Sequence, residues 1–204
     1  MFSMYRFLFE SEGNAFSIEQ LSSLKSLDEM NRYASAHLPL VGQGSTRKVF
    51  ALSPELVLKL VNPDFDETRG VAQNEEETRL SAIEEAQVAL ARIKSHDEGF
   101  LWVIQERVQP LSSWKVFDSV TGFSSKELAK LLRGNYLDVA DFQRRAKPNS
   151  QFSNSQLVKT LFVLRENGLS FDDLKGYQQW GVTTDGRVVL VDFGATDSVL
   201  DEYY

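Results

Sequence analysis

A few residues stand where they could act on a phosphate group. Lys59 lies in the apolar run VLKLV, where an unpaired ammonium is costly. Asp192 closes a second apolar run, residues 188–191, and is followed by Phe193-Gly194. A carboxylate at the end of a buried strand, beside a glycine, can hold a divalent cation against phosphate oxygens. Gly42-Gln43-Gly44 lets backbone amides approach a phosphate closely. Glu75-Glu76-Glu77 offers carboxylates on a following helix, and Glu77 is a candidate partner for Lys59. Each also has a plainer account. A hairpin turn uses the glycines, an edge lysine snorkels to solvent, and a turn aspartate explains Asp192.

These groups need elements to position them. Residues 17–36 open with Ser17 and Gln20 in capping-box spacing, and Ile18, Leu21, Leu24 and Met30 follow at near-helical intervals. That predicts one amphipathic helix. From Leu38 the sequence turns β-branched and aromatic. It predicts a strand entering the glycines, one at Arg47–Leu52 and one at Leu56–Val61, with Ser53-Pro54-Glu55 as a turn. Glycines between two strands argue against a dinucleotide fingerprint or a Walker loop, both of which open a helix. Residues 71–94 form the strongest helical pattern, with Asn74 as the cap and the three glutamates at the positive end of the dipole. Leu80, Ile83, Val88, Leu90 and Ile93 supply its apolar surface. Leu101–Val108 reads as a strand and Pro110-Leu111-Ser112-Ser113 as a linker. Helices follow at Ser125–Leu132, Leu137–Arg145 and Gln156–Glu166, then two strands joined at Asp185-Gly186. The order predicts an α+β chain with a helical extension (1–37), a small sheet-bearing lobe (38–108) and a reduced helical lobe (109–204).

Composition removes other chemistries. The 204 residues include no cysteine and two histidines, His37 and His96, which excludes disulfides, thiolate chemistry and multi-histidine metal centres. A net charge of −7 argues against nucleic acid or an anionic membrane as a partner. No apolar run approaches the roughly 20 residues that span a bilayer. The opening MFSMYRFLFESEG has too short an apolar stretch for a signal peptide, so a soluble cytoplasmic protein is expected. The tight basic cluster Arg144, Arg145 and Lys147 falls where a helix should end, which suits the helix dipole.

Taken in order, GQGSTRKVF, the lysine of VLKL, the helix glutamate, WVIQERV and VVLVDFG resemble the protein-kinase superfamily. The stretches GSTRKVF, VLKLV, GVAQNEEE and WGVTTDGRVVLVDFG are most similar to small kinase-like proteins encoded by tailed bacteriophages. The resemblance covers roughly residues 38–196 and implies a minimal two-lobe kinase-like fold binding ATP and Mg²⁺. It implies that Gly42 and Gly44 cover the nucleotide phosphates and that Lys59 contacts them, held by Glu77. Glu106 and Val108 would offer backbone hydrogen bonds to adenine, with Val49, Leu58 and Ile104 forming an apolar slot. Asp192 would bind the metal.

The sequence departs from that family in its catalytic loop. Gln179 stands where the family has a metal-binding asparagine, and Leu174 where it has the base aspartate. Asp173, with Asp172 beside it, becomes the base if the loop carries an insertion. Arg47 replaces the third loop glycine; its guanidinium could point at a phosphate, but an exposed strand arginine is the expected reading. Only residues 195–204 follow DFG, too few for a peptide-gripping activation segment. Three readings follow. One is a phosphotransferase, or a nucleotidyl transferase, acting on a protein or small molecule. The second is a pseudokinase that binds a host or phage protein. The third is an unrelated α+β binding protein.

Overall fold

The computed structural model describes residues 16–145, 155–170 and 176–203. Serines start the first two helices. Ser17 caps α1 (Ile18–Ser23) by accepting the Gln20 N–H, and Ser26 caps α2 (Leu27–His37) by accepting that of Glu29. The single helix predicted over 17–36 is therefore two. Leu24 is extended, and Ser26 supplies a second cap that outcompetes continuation.

Five strands follow: β1 (Leu40–Gln43), β2 (Arg47–Ala51), β3 (Leu56–Val61), β4 (Ile93–His96) and β5 (Trp102–Glu106). They form one antiparallel sheet in the order β1-β2-β3-β5-β4. Val49 lies opposite Lys59, and Lys59 opposite Val103. Side chains alternate along a strand, so Val49, Val57, Lys59, Val103 and Gln105 share one face. Phe50, Leu58 and Ile104 occupy the other, in a core with Leu21, Leu27, Met30 and Ala34 of α1 and α2.

Helix α3 (Glu67–Ser81) is capped by Asp66, whose carboxylate accepts the Arg69 N–H. It begins earlier than the pattern at 71–94 predicts, and Asn74 lies buried inside it rather than at its start. It also ends earlier. Ile83 is extended, a short 3₁₀ turn spans Glu84–Ala86, and Ile93 starts β4. The apolar residues that extended the helical pattern serve a different contact. Ala89 and Ala91 hydrogen-bond Leu190 of the second lobe at 2.7 and 2.8 Å.

Beyond the sheet come β6 (Gln109–Pro110), α4 (Trp114–Thr121), α5 (Ser125–Leu132), α6 (Val139–Arg145) and α7 (Ser155–Glu166). The chain then forms β7 (Trp180–Val182), β8 (Val188–Leu190) and α8 (Asp197–Tyr203). The segment expected as a bare linker pairs through β6 with β7 in a second sheet, β6-β7-β8. Ser113 then caps α4, a helix the sequence pattern did not predict. Gly186 takes φ +83° in the turn between β7 and β8, where a side chain would be strained. Around that hairpin, Phe117, Phe123, Phe142 and Trp180 are almost fully buried. Their rings meet edge-on at 4.9–5.7 Å, a favoured aromatic geometry. The chain is α+β and two-lobed, with a small antiparallel sheet in the first lobe and helices with a hairpin in the second.

Candidate functional site

Four charged side chains meet where the lobes face each other. Lys59 Nζ on β3 donates to Glu77 Oε1 and Oε2 on α3 at 3.0 and 2.9 Å. It also donates to the Val191 carbonyl at 2.6 Å, next to Asp192. Arg47, the first residue of β2, places Nη1 2.8 Å from Glu77 Oε1 and Nη2 on Asp192 Oδ1. Among the three glutamates, Glu77 is the one that reaches Lys59. Lys59, Arg47 and Glu77 are buried, whereas the Asp192 side chain is 44% exposed and opens the cluster to solvent.

The environment biases each charge. Burial pushes the Lys59 ammonium below its ordinary value, with Glu77 opposing and Arg47 adding to the shift. Burial would also lower the Arg47 guanidinium, but the charges of Asp192 and Glu77 outweigh it and raise the group instead. Desolvation would raise the Asp192 carboxyl. The charges of Arg47 and Lys59, with the hydrogen bond from Arg47, hold it below the usual carboxylate range.

Packing of α3 fixes this arrangement. Gly194 lies so close to α3 that a Cβ there would sit 2.3 Å from the Gln73 carbonyl oxygen. Thr46 donates to Gln73 Oε1 at 2.7 Å, Asn74 Nδ2 donates to the Phe100 carbonyl at 2.8 Å, and the Phe193 N–H donates to Glu77 Oε1 at 3.3 Å. The glycine turn is tied to the same region. Gly44 N–H donates to the Arg47 carbonyl at 2.8 Å, and Asn62 Nδ2 donates to the Gly44 carbonyl at 3.3 Å. Gly42, within β1, lies opposite Val49.

The remaining sequence-derived residues fall less simply. Val49 shares the Lys59 face, but Leu58 and Ile104 are one residue out of phase and pack against α1 and α2. The apolar residues that the sheet places on the Lys59 face are instead Val49, Val57 and Val103. Glu106 donates its N–H to the Arg92 carbonyl at 2.9 Å, and its carboxylate accepts two 2.8 Å bonds from Arg187. Val108 packs beside Gly181, where an added Cβ would meet its Cγ2 at 2.6 Å. Gln179 accepts the Val191 N–H through its carbonyl at 2.8 Å, which sets its backbone near Asp192. Asp172 and Asp173 lie outside the described residues.

Sequence reasoning misjudged the burial of one group and missed another. Arg47 is 5% exposed, not the exposed strand arginine expected. Its burial depends on α3 folding over the start of β2, which no local pattern reveals. Gln105 is fully buried on the Lys59 face; its Nε2 donates to the Ala91 carbonyl at 3.3 Å, and its Oε1 has no partner among the described residues. Strand alternation from Lys59 and Val103 could have found it.

The Mg²⁺ implied by the kinase resemblance requires near-octahedral oxygen ligands. Among the described residues no cluster of three or more His, Asp or Glu side chains could hold a metal, and Arg47 occupies the Asp192 carboxylate. The described side chains alone therefore form no metal cage, and a Mg²⁺ at Asp192 would have to be completed by substrate phosphates and water.

No protein-family model and no curated protein matches the chain. Among solved structures it is similar to WbdD, crystallised with the kinase inhibitor LY294002, at 16% identity and TM-score 0.41. That match covers 77% of this chain and 32% of WbdD, so the chain spans about a third of that protein. It is also similar to the choline kinase LicA from Streptococcus pneumoniae, at 11% identity and TM-score 0.40 over 83% of this chain and 68% of LicA. A third similar structure is the PknI kinase domain of Mycobacterium tuberculosis, at 16% identity and TM-score 0.36 over 78% and 58%. No helix among the described residues is long and apolar enough to cross a membrane.

Proposed function

We propose that the cleft binds ATP, with the phosphates against Lys59 and Arg47 below the glycine turn, and that the chain is a kinase-like nucleotide-binding protein. One observation carries this reading. A lysine buried in a strand is held by a helix glutamate at 2.9–3.0 Å beside a half-exposed aspartate that ends the partner lobe's hairpin. A buried ammonium on an apolar strand is expensive to keep, and an anion that enters the cluster recovers part of that cost. In this reading the adenine lies over Val49 toward Glu106 and Val108.

The same site supports a second reading, in which the protein binds nucleotide or a protein partner and transfers nothing. Arg47 on Asp192, and Gln179 where the kinase pattern has asparagine, favour it. If phosphate is transferred, Asp173 is the proposed base, and Asp173→Asn should abolish transfer while sparing binding.

Thermal unfolding with ATP tests the binding claim. Ligand at a hundredfold its Kd stabilises the folded state by about 2.7 kcal/mol, a rise of roughly 5–10 °C for a chain of this size. Lys59→Met should remove that rise and still fold, since Arg47 keeps Glu77 paired at 2.8 Å. An unchanged melting temperature in saturating ATP contradicts the proposal.

A further inference from the structure

The cluster contains two permanent or near-permanent cations and two carboxylates, so its formal charges cancel before any ligand arrives. A divalent ion approaching Asp192 would meet Arg47 already bonded to Oδ1, with Lys59 anchored 2.6 Å from the neighbouring Val191 carbonyl. Arg47 cannot lose its charge, and it is 5% exposed. It is also held on three sides, by Glu77, Asp192 and Asn74, whose Oδ1 accepts its Nη1 at 3.4 Å. Those bonds are made by Nη1 and Nη2 and do not use Nε; an Nε–H with an Nη2–H is a pair of donors suited to a phosphate oxygen.

We propose that Arg47 stands in for the divalent cation at Asp192, so that this cleft binds the phosphates of a nucleotide without magnesium. The inference rests on the nucleotide-site reading above. Arg47 would balance Asp192 on one side and a β- or γ-phosphate on the other, while Lys59, fixed by Glu77, meets the remaining charge.

Isothermal titration of ATP into the full chain, once in excess EDTA and once in excess Mg²⁺, tests it. The expected result is binding in both buffers with Kd values within about threefold, well under 1 kcal/mol apart. Arg47→Ala should weaken binding in EDTA by at least about tenfold, the loss expected for a charge-assisted bond. Mg²⁺ should then restore part of it. Arg47→Lys, which keeps the charge but loses the fork, should fall between the two. A separate readout needs no nucleotide: the electron paramagnetic resonance signal of Mn²⁺ should stay that of the free ion with the wild type and broaden with Arg47→Ala. ATP binding by the wild type only when Mg²⁺ is present overturns the proposal. So does binding gained only after Arg47 is removed, which would make Arg47 a plug. Absence of binding in every buffer and variant overturns the nucleotide-site reading itself, and this inference with it.

Discussion

Two charge clusters in this protein have nearly equal bond lengths and opposite characters. On α6, Asp141 accepts Arg144 at 2.8 Å and Arg145 at 2.7 Å, from positions three and four residues along one helix. Those arginine side chains are 71% and 54% exposed, although the Asp141 side chain they share is only 5% exposed. In the cleft, Arg47, Lys59, Glu77 and Asp192 come from β2, β3, α3 and the segment after β8, and the two cationic side chains are 6% and 4% exposed. An exposed local pair is screened by water and salt and contributes little. A buried cluster leaves a desolvated charge behind when one member is removed. Bond length does not separate the two cases; the exposure of the cations and the sequence separation do.

The largest expected effect follows from Glu77. Glu77→Ala leaves Arg47 and Lys59 as adjacent buried cations and should cost about 3–5 kcal/mol in a urea denaturation experiment. Glu77→Gln, which keeps the volume, should lose most of the same amount. A loss below about 1 kcal/mol would place the cleft in the same class as the α6 cluster.

Gly194 comes next. A Cβ there would lie 2.3 Å from the Gln73 carbonyl oxygen, whereas one at Gly42 would rest 3.6 Å from Val49 Cβ. Gly194→Ala should therefore push α3 away from the cleft, costing about 1–3 kcal/mol and weakening the Lys59–Glu77 pair. Gly42→Ala should be tolerated in stability. Equal losses at both positions would show that the close approach of α3 does not matter.

Acid sharpens the comparison from another side. Asp192 is held below the usual carboxylate range by Arg47 and Lys59. Its contribution is present above the unfolded-state value, about 3.9, and is lost as pH falls through the lower folded-state value. Asp192→Asn should therefore be less stable than the wild type at neutral pH, and the gap should close in acid. A gap independent of pH would mean that the charge on Asp192 is not what stabilises the fold. At the small end, Arg144→Ala or Arg145→Ala should change stability by no more than about 0.5 kcal/mol, and by less in high salt.

The same contrast explains how much was readable from sequence. The strands around Lys59, the Ser17 cap, α5 and the Asp185-Gly186 turn follow from neighbours in the chain, and the structure has each of them. The α6 cluster is local too: the helix places its three members together. Residues 83–93 were misread because Ile83, Val88, Leu90 and Ile93 suit a helix face as well as a lobe contact, and only the pairing of Ala89 and Ala91 with Leu190 decides between them. Glu77 was one of three adjacent glutamates until the helix phase selected it. Arg47 was unreadable because its burial requires α3 on one side and the DFG segment on the other, far away in sequence.

The most direct test of the central claim is chemical labelling of the cleft lysine with an acyl phosphate of ATP, followed by peptide mapping. The amine attacks the acyl carbon and releases ATP, so modification marks a lysine at the phosphates. The expected result is modification of Lys59, the lysine held between Glu77 and the Val191 carbonyl beside Asp192, and protection by excess ATP with or without Mg²⁺. Labelling confined to exposed lysines such as Lys25 and Lys94, unaffected by ATP, would contradict it.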